Sequence, residues 1–414
     1  MNTLKTKTIA AIMLIIAVLI ATGCNKPDDP SNGGNNGNNG ENGGETPEAP
    51  AIVSTSEVQY DGTVYFEAVF EDDTKMYFEI LSPTEVALVS GEFFYQDNPS
   101  LAYIYRGEVV IPENIAHLGT TYSIVSIAKK AFYNNEIVTS VFIPNSVISI
   151  GSYIEKNAAN YMWNYKGAFQ GCPNLNSIHM SENVQDIGHN AFVDCPCYQE
   201  SVTIPTHIKL IGGNAYSSEN VLFLADSCSI AGSGTLVAPV CSAFFNASSI
   251  IFGDNVKIMP AHIYAWTSFD TIEVPSTITI IPNYAFKECT NLVSITLNNS
   301  INIINEETFY GCSNLSSIEL PNSVTTIDKK AFYNCDSLTD IFLPNSINQI
   351  NDYAYYLNNT INTNVTSLSI NPPILGNNVF GHRSIQIIYV PRASVEAYKI
   401  ANGWREFADV IVGI

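Results

Sequence analysis

The chain has 414 residues and a formal net charge of −21 at pH 7, with 18 Lys and Arg against 39 Asp and Glu. So few basic residues, scattered along an acidic chain, argue against nucleic acid or an anionic lipid surface as the partner. Charged residues make up only 14% of the chain, while Ile, Asn, Ser and Thr are abundant, which is typical of stacked parallel strands joined by hydrogen-bonding turns.

The first 23 residues have the pattern of a secretion signal. Lys5 and Lys7 precede an apolar segment over residues 9–20, which is shorter than the roughly 20 residues that a membrane span needs. The small residues that follow lead to Cys24 and resemble a bacterial lipoprotein cleavage box, in which the cysteine is lipidated and becomes the new N-terminus. We therefore predict a lipoprotein signal peptide at 1–23 and lipidation of Cys24. An ordinary secreted protein with an unrelated cysteine is the alternative.

Residues 24–50 are predicted to be a disordered tether, because this Gly- and Asn-rich segment has almost nothing apolar to bury. Its start, Lys26-Pro27-Asp28-Asp29, resembles the short acidic signal that sends Bacteroidetes lipoproteins to the outer face of the outer membrane. We expect an exported outer-membrane lipoprotein, exposed at the cell surface, that touches the membrane through its lipid alone. A simple linker in a periplasm-facing protein is the alternative.

Residues 51–127 are predicted to form an N-terminal β-rich cap. Thr63–Phe70 and Lys75–Ile80 alternate between apolar and polar residues around an acidic turn, which predicts a β-hairpin. Such a cap covers the strand edges that the first repeat would otherwise expose.

A repeat of about 23 residues fills residues 128–380. Ile295, Ile318 and Ile341 each begin an apolar-x-apolar strand, and a pair such as Ala331-Phe332 closes each unit. Self-similarity at this period predicts a solenoid, in which each unit buries its apolar face only against its neighbours. We expect one continuous parallel sheet with short irregular helical return limbs. The predicted strand starts are Val109, Val141, Ile178, Val202, Ile250, Ile272, Ile295, Ile318, Ile341 and Leu368.

Two places depart from the repeat. An insert within residues 152–167 carries Tyr161, Trp163 and Tyr165, and insertions in solenoids often project at the binding face. The unit between Tyr216 and Tyr264 has lost the pattern, and a loop is predicted over its residues 229–234. Cys228 and Cys241 fall in that unit and are candidates for a disulfide in an exported protein. The sequence leaves that pairing open.

Five cysteines share one position of the repeat. One Cys in each unit at constant phase is typical of a packed ladder of small buried side chains. A metal site or disulfides are the alternative, but Cys195-Pro196-Cys197 lacks a second Cys pair at zinc-site spacing. These cysteines are Cys172, Cys195, Cys289, Cys312 and Cys335.

Residues 381–414 are predicted to form a C-terminal cap. Ile388-Tyr389-Val390-Pro391 reads as a last strand, and Ser394 is a plausible N-cap for a short helix through Trp404.

The unit Cys-x-x-Leu-x-x-Ile-x-Leu-Pro-x-x-Val-x-x-Ile-x-x-x-Ala-Phe, over residues 312–332, resembles the repeat of the BspA-like, Treponema-type leucine-rich repeat family. The resemblance covers about Val109 to Ile414. It implies an α/β-type leucine-rich repeat solenoid, mostly parallel β-sheet, on the surface of host-associated bacteria, some members of which bind host matrix proteins. The family offers no catalytic motif, and the chain has no nucleophile elbow, zinc-protease motif or phosphate loop. Neither enzyme activity nor a cofactor is expected.

The outward face of the strands is the first candidate binding surface. Side chains alternate along a strand, so the residue between two core residues points out, and exposed aromatic residues are typical anchors of protein interfaces. The insert residues Tyr161, Trp163 and Tyr165 are the second candidate. The outward residues are predicted to be Phe142, His179, Thr203, Ile251, Glu273, Thr296, Glu319, Phe342 and Tyr389.

The expected function is non-enzymatic, adhesin-like binding of protein or glycoprotein ligands, host extracellular matrix among them. Two other functions stay open: a periplasm-facing scaffold, and a carbohydrate-binding module or glycan hydrolase. Glu273 and Glu319 lie two repeats apart, which places them near 10 Å and within the range of paired catalytic carboxylates. They are expected on an open sheet, however, and no apolar pocket is expected there to hold one of them protonated.

Overall fold

A computed structural model describes residues 47–60, 63–90, 105–151, 166–226, 228–231, 243–244, 246–265, 267–357 and 361–414. Cys24, Cys241 and the insert residues Tyr161, Trp163 and Tyr165 therefore lie outside the described residues. The chain divides into two compact units, one made of Met1–Ile150, Ala168–Val184 and Asp194–Cys197, and the other of the remaining residues.

The first unit combines an antiparallel meander with the first parallel coils. β1 to β4 pair antiparallel in sequence order, β7 pairs parallel with β4 and with β9, and β6 joins β7 antiparallel. β5, β8 and β10 form a separate parallel sheet. The predicted hairpin is confirmed as β2 and β3. The strands are β1 Ile52–Tyr60, β2 Thr63–Phe70, β3 Lys75–Ser82, β4 Glu85–Val89, β5 Gly107–Val110, β6 Asn114–His117, β7 Thr120–Ile127, β8 Val138–Phe142, β9 Ser149–Ile150 and β10 Ser177–His179.

In the second unit every strand pairing is parallel among the described residues. Its strands are β11 Asp186–Ile187, β12 Ser201–Ile204, β13 Leu210–Gly212, β14 Asn220–Phe223, β15 Ser229–Ala231, β16 Ser249–Phe252, β17 Thr271–Glu273, β18 Ser294–Thr296, β19 Ile303–Ile304, β20 Ser317–Glu319, β21 Thr326–Ile327, β22 Asp340–Leu343, β23 Gln349–Ile350, β24 Asn362–Ser367, β25 Ile374–Leu375, β26 Ser384–Val390 and β27 Ile411–Gly413.

The coils of the second unit contribute a first strand, which has three or four residues in β12, β14, β16, β17, β18, β20 and β22, and most of them also contribute a short second strand. The first strands form three ladders, β12-β14-β16, β17-β18-β20 and β22-β24-β26-β27, and the second strands form β11-β13-β15 and β19-β21-β23-β25. This parallel stacking confirms the predicted leucine-rich repeat solenoid. The single continuous sheet that we expected is divided into these shorter ladders.

The return limbs are turns and a second strand, where the sequence suggested irregular helix. A residue two places before each core aromatic has a left-handed φ, as at Tyr284 (φ 65°), Glu307 (φ 53°) and Lys330 (φ 55°). An L-residue in that conformation ends a right-handed helix, so the limb folds as successive turns. The predicted strand start at Leu368 was also wrong: β24 ends at Ser367, and the residue that pairs with Ile341 is Val365, 24 residues further along the chain.

A stack of aromatic rings runs through the core at the Ala-Phe position. In the second unit Phe286, Phe309, Phe332 and Tyr355 are buried, and neighbouring ring centroids are 4.8 to 5.2 Å apart with nearly parallel planes. The backbone N–H of Phe332 donates to the carbonyl of Ala354 in the next coil at 2.7 Å. One ring per coil, at the strand spacing, thus fixes the height of each repeat.

The shared cysteine position is confirmed as a buried ladder. In the second unit the thiols of Cys289, Cys312 and Cys335 donate to the carbonyls of Tyr264, Phe286 and Phe309 at 2.7, 3.1 and 3.2 Å. In the first unit the thiols of Cys172 and Cys195 donate to the carbonyls of Phe132 and Phe169, both at 2.9 Å. The position therefore supplies a small donor for the turn carbonyl of the preceding coil.

Arg383 occupies the same position near the end of the second unit. Its buried guanidinium donates to the carbonyls of Tyr355, Leu338 and Cys335 at 2.7, 2.6 and 3.1 Å. A planar group with five donors can thus satisfy several turn carbonyls at once.

The unit between Tyr216 and Tyr264 keeps the repeat, contrary to the sequence-based interpretation. Ala243 and Phe244 form its Ala-Phe pair: the Tyr216 N–H donates to the Ala243 carbonyl at 3.1 Å, and the Phe244 ring lies 5.8 Å from that of Tyr216. The loop predicted over residues 229–234 begins with strand β15, which pairs with β13. The pair is 28 residues after Ala215, so an unequal spacing hid it.

Helices are few among the described residues. Helix α1, Val395–Ile400, starts after Ser394 as predicted but ends at Ile400, and a 3₁₀ segment follows at Trp404–Val410. The prediction that this helix extends to Trp404 was wrong, because Gly403, with φ 80°, turns the chain between helix α1 and the 3₁₀ segment. Two further 3₁₀ turns are Pro196–Tyr198 and Arg392–Ser394. No described helix is long and apolar enough to span a membrane.

We expect Phe332→Ala to lower the free energy of unfolding by roughly 3–5 kcal/mol, as for other buried Phe truncations. The ring is fully buried between two neighbouring rings, so its removal leaves a cavity in the stack. Phe342→Ala is the control, since that side chain is 42% exposed and its loss should cost under about 1 kcal/mol. Denaturant unfolding measures both, and equal midpoints for the two variants contradict the assignment.

Candidate binding surface

The outward face of the first strands is built by the alternation of side chains along each strand. In β22, Ile341 and Leu343 are buried, while Phe342 between them is 42% exposed. The same holds in β17, where buried Ile272 precedes exposed Glu273. None of the nine predicted outward residues is buried.

In the first unit the outward residues form one short row. Val110, Phe142 and His179 are aligned across β5, β8 and β10 by the strand register. The rings of Phe142 and His179 stack with centroids 4.1 Å apart and planes 6° apart. The row is therefore an ordered aromatic surface on the strand face.

In the second unit the outward residues form three rows that differ in chemistry. The register of the strands sets each row, and it adds Leu222, Thr366 and Val412, which the sequence analysis did not single out. The first row is apolar at two of three positions, the second is acidic and hydroxylated, and the third is mainly apolar and aromatic. They are Thr203, Leu222 and Ile251; Glu273, Thr296 and Glu319; and Phe342, Thr366, Tyr389 and Val412.

Glu273 and Glu319 are placed as the repeat spacing predicted. Both are exposed, and Thr296 lies between them in the register, so two strand steps of about 4.8 Å each separate their backbones. A glycan hydrolase needs one carboxyl group kept protonated by an apolar pocket. Two exposed carboxylates on a flat strand face do not supply that environment.

A second set of rings lies on the turns and was missed in the sequence. Tyr310, Tyr333 and Tyr356 stack with centroids 5.0 Å apart, and His262 stacks on Tyr284 at 5.1 Å. All are partly exposed. Burial raises the pKa of Tyr310, and the neighbouring Tyr333 raises it further. The signal was present as an aromatic residue directly after the core ring in three successive coils.

Charged groups link these tyrosines. The Lys287 ammonium lies 5.1 Å from the Tyr284 ring centroid and 4.8 Å from that of Tyr310, and it pairs with Glu307 at 2.7 Å. Lys330 pairs with the same carboxylate at 3.5 Å. Because the faces of Tyr310 and Tyr333 are turned toward neighbouring rings, the ladder leaves mainly ring edges for a ligand, and its clearest role is to fix the turns.

The buried cysteines have no sign of nucleophilic chemistry. Burial raises the pKa of the Cys335 thiol to about 12, and that of Cys228 to about 12. Hydrogen bonding to Cys195, with burial, raises the pKa of Cys172. Among the described residues no group of His, Cys, Asp and Glu is arranged to hold a metal ion.

Residues 164–230 and 257–387 match the family described as BspA type leucine rich repeat region, in six copies. No curated protein matches the chain. Among solved structures, a leucine-rich repeat protein from Bacteroides ovatus is 22% identical, with 82% of this chain and 98% of that chain covered and a TM-score of 0.36. The pneumococcal vaccine antigen PcpA is 14% identical, with 86% and 97% covered and a TM-score of 0.39. A leucine rich cell surface protein from Faecalibacterium prausnitzii is 16% identical, with 82% and 99% covered and a TM-score of 0.29.

We expect Cys289, Cys312 and Cys335 to resist iodoacetamide at pH 8 in the native protein and to react after unfolding. The thiolate is the nucleophile, and burial raises the pKa of Cys335 to about 12, whereas an unfolded thiol has a pKa near 8.5. Mass spectrometry of the alkylated peptides measures this. An Asn314→Cys variant, at an exposed position, should label in the native state. Labelling of Cys312 as fast as that control contradicts the buried ladder.

Proposed function

We propose that this chain, which belongs to the BspA type leucine-rich repeat family as its repeat predicted, is a lipid-anchored, cell-surface binding protein without catalytic activity. Its ligands are proteins or glycoproteins, host extracellular matrix among them, and they bind the outward face of the first strands. The observation that carries this proposal is the row of Phe342, Thr366, Tyr389 and Val412, in which Phe342 and Val412 are exposed and Tyr389 is half-buried.

The chemistry of that row favours a protein partner. An outward position on a solvated strand needs no apolar residue for the fold, yet Phe342 is 42% and Val412 is 46% exposed. Aromatic side chains that are exposed on an otherwise polar surface are the usual anchors of protein interfaces. Leucine-rich repeats stack into extended surfaces of this kind, and proteins are their common ligands.

The net charge of −21 adds a long-range preference. An acidic surface attracts basic partners and raises the rate of encounter, and salt screens this attraction. The acidic row of Glu273, Thr296 and Glu319 lies on the same kind of strand face as the aromatic row. A partner with basic residues around an apolar patch fits both rows.

The cell-surface location rests on the start of the sequence. A positive, apolar and small-residue segment leads to Cys24, and a Gly- and Asn-rich tether follows with Asp28 and Asp29 near its start. A lipid on a long polar tether would hold the domain away from the membrane while leaving it free to rotate. A periplasm-facing scaffold with the same fold would be protected when intact cells are treated with protease, whereas a surface protein is cut.

A carbohydrate-binding module is the weaker alternative. Sugar rings pack on free aromatic faces, but Tyr333 lies between the rings of Tyr310 and Tyr356. The Phe342 row keeps the protein-binding hypothesis ahead of this one.

We expect the double substitution Phe342→Ser and Tyr389→Ser to weaken binding at least tenfold, or about 1.4 kcal/mol, because both anchors are removed from one row. Binding of the purified mature protein to immobilised matrix from cultured epithelial cells measures the effect. Ile370→Ser with Ile374→Ser is the matched control, since both side chains are more exposed than Phe342, at 73% and 69%, and lie off this row. Equal affinity of the two double variants contradicts the proposed surface.

We expect Cys24→Ser to abolish membrane anchoring, because the lipid would be attached to that thiol. The wild-type protein should enter the detergent phase in a phase-partition assay, and the variant should stay in the aqueous phase or keep its signal. A Cys241→Ser variant controls for loss of a cysteine elsewhere. Detergent partitioning that persists in Cys24→Ser shows that the anchor is not at this residue.

A further inference from the structure

A cavity of about 400 Å³ opens beside Phe142 in the first unit. It lies at the ends of β5 and β8, and its wall includes Val110 and Phe142 from the outward row. Pro47 and Pro112 close it from the segments outside these strands. The volume is at the lower end of the range for small-ligand sites, large enough for one long side chain and part of its backbone.

Phe142 is half-buried and lines the cavity. His179 stacks against one face of its ring at 4.1 Å. His179 does not line the cavity, whereas Val110, on the strand at the opposite side of β8, does. A valine is too short to cover the ring as His179 does. The stacked partner holds the ring in place, and the strand order leaves the face opposite His179 to Val110 and the cavity.

Two carboxylates complete the wall. Glu48 and Glu113 both line the cavity and are exposed, and the lining residues include no Lys or Arg. The field at the cavity is therefore negative, and the chain as a whole carries a formal charge of −21. A negative field next to an open aromatic face favours a cation over the ring.

Among protein side chains, arginine fits this set best. Its guanidinium stacks flat on an aromatic face, binds carboxylates through paired N–H groups, and is more weakly hydrated than an ammonium. Its aliphatic stem packs on apolar walls such as Val110 and Pro112 while the head stays near the carboxylates. Lysine would make the charge contact without the planar stacking.

We propose that the cavity beside Phe142 is a subsite for an arginine side chain of the partner protein. This inference rests on the proposed binding function and deepens it, because it names the partner chemistry that the first unit recognises. The open face of Phe142 provides the platform, Glu48 and Glu113 provide the counter-charge, and the apolar walls cover the stem.

Short capped peptides test the subsite without the unknown partner. The probe is acetyl-Gly-Arg-Gly-amide, and its matched control carries citrulline, which keeps the planar shape of arginine without the charge. Titration of the mature protein, followed by NMR or calorimetry, should give binding of the arginine peptide at least fivefold tighter than that of the citrulline peptide. The difference should shrink as salt is raised from 50 to 500 mM, because screening weakens exposed charge contacts.

Three variants locate the binding. Phe142→Leu removes the aromatic face, Glu48→Gln with Glu113→Gln removes the charges, and Val110→Phe fills the cavity. Each should weaken binding of the arginine peptide at least fivefold, while Glu396→Gln with Glu406→Gln, which removes two exposed carboxylates outside every proposed binding row, should not. Thermal unfolding of each variant checks that the fold is kept. If Phe142→Leu does not fold, Val110→Phe tests the cavity in its place.

Equal affinity for the arginine and citrulline peptides, or affinity that no cavity variant changes, overturns the subsite. The proposed function has its own readout, the effect of Phe342→Ser with Tyr389→Ser on matrix binding. If that double variant loses matrix binding while the cavity variants bind both peptides alike, the subsite is wrong and the function stands. If arginine binding depends on the cavity while matrix binding is unaffected by Phe342→Ser and Tyr389→Ser, the subsite holds and the proposed surface falls.

Discussion

Each coil of the solenoid depends on the coil that follows it to cover its aromatic ring and to donate to its turn carbonyl. The Phe309 ring is covered by Phe332, and the Phe309 carbonyl accepts from the thiol of Cys335. Both contacts are made by residues of the next repeat, so one isolated coil would leave a ring in water and a carbonyl without its buried donor. The 23-residue period follows from this, since each side chain must arrive at the same height, one strand spacing further on.

The ends of such a stack have no following coil, and larger side chains there cover the last ring and donate to the last turn carbonyls. At the end of the second unit Arg383 replaces the small donor, and its guanidinium reaches the carbonyls of Cys335, Leu338 and Tyr355. Trp404 packs edge-on against Phe380 and donates to the Pro373 carbonyl at 2.7 Å. Burial lowers the pKa of Arg383, but the group remains a cation at neutral pH because its ordinary pKa is so high. A buried charge is accepted here because its donors are satisfied by backbone oxygens.

The sequence predicted those features that depend on an even period and missed those that do not. The hairpin of β2 and β3, the strand starts from Val141 to Ile341 and the buried cysteines all follow from alternation or constant phase. The pair Ala243-Phe244 was missed because its distance from the preceding Ala-Phe pair differs from the repeat length. The short second strands were missed because a strand of two residues is too short to show alternation. The outward residues could be assigned to a face, but not to a site, because alternation says which side chains are exposed and nothing about what binds them. The cavity beside Phe142 could not be predicted from the sequence, because only the fold brings Glu48 and Glu113 to the same cavity as Phe142.

Within a first strand some positions are buried in the core and others face outward, and this explains how one scaffold carries rows of different chemistry. In β12 and β22 the residues that flank the outward position, Val202 and Ile204 or Ile341 and Leu343, are buried in the core, while Thr203 and Phe342 are exposed. A change at the outward position therefore leaves the ring stack and the carbonyl donors intact, and it costs the fold little. Binding chemistry can vary from coil to coil under this rule while the core positions stay fixed. Apolar residues at outward positions are then informative, because the fold gives no reason for them and an interface does.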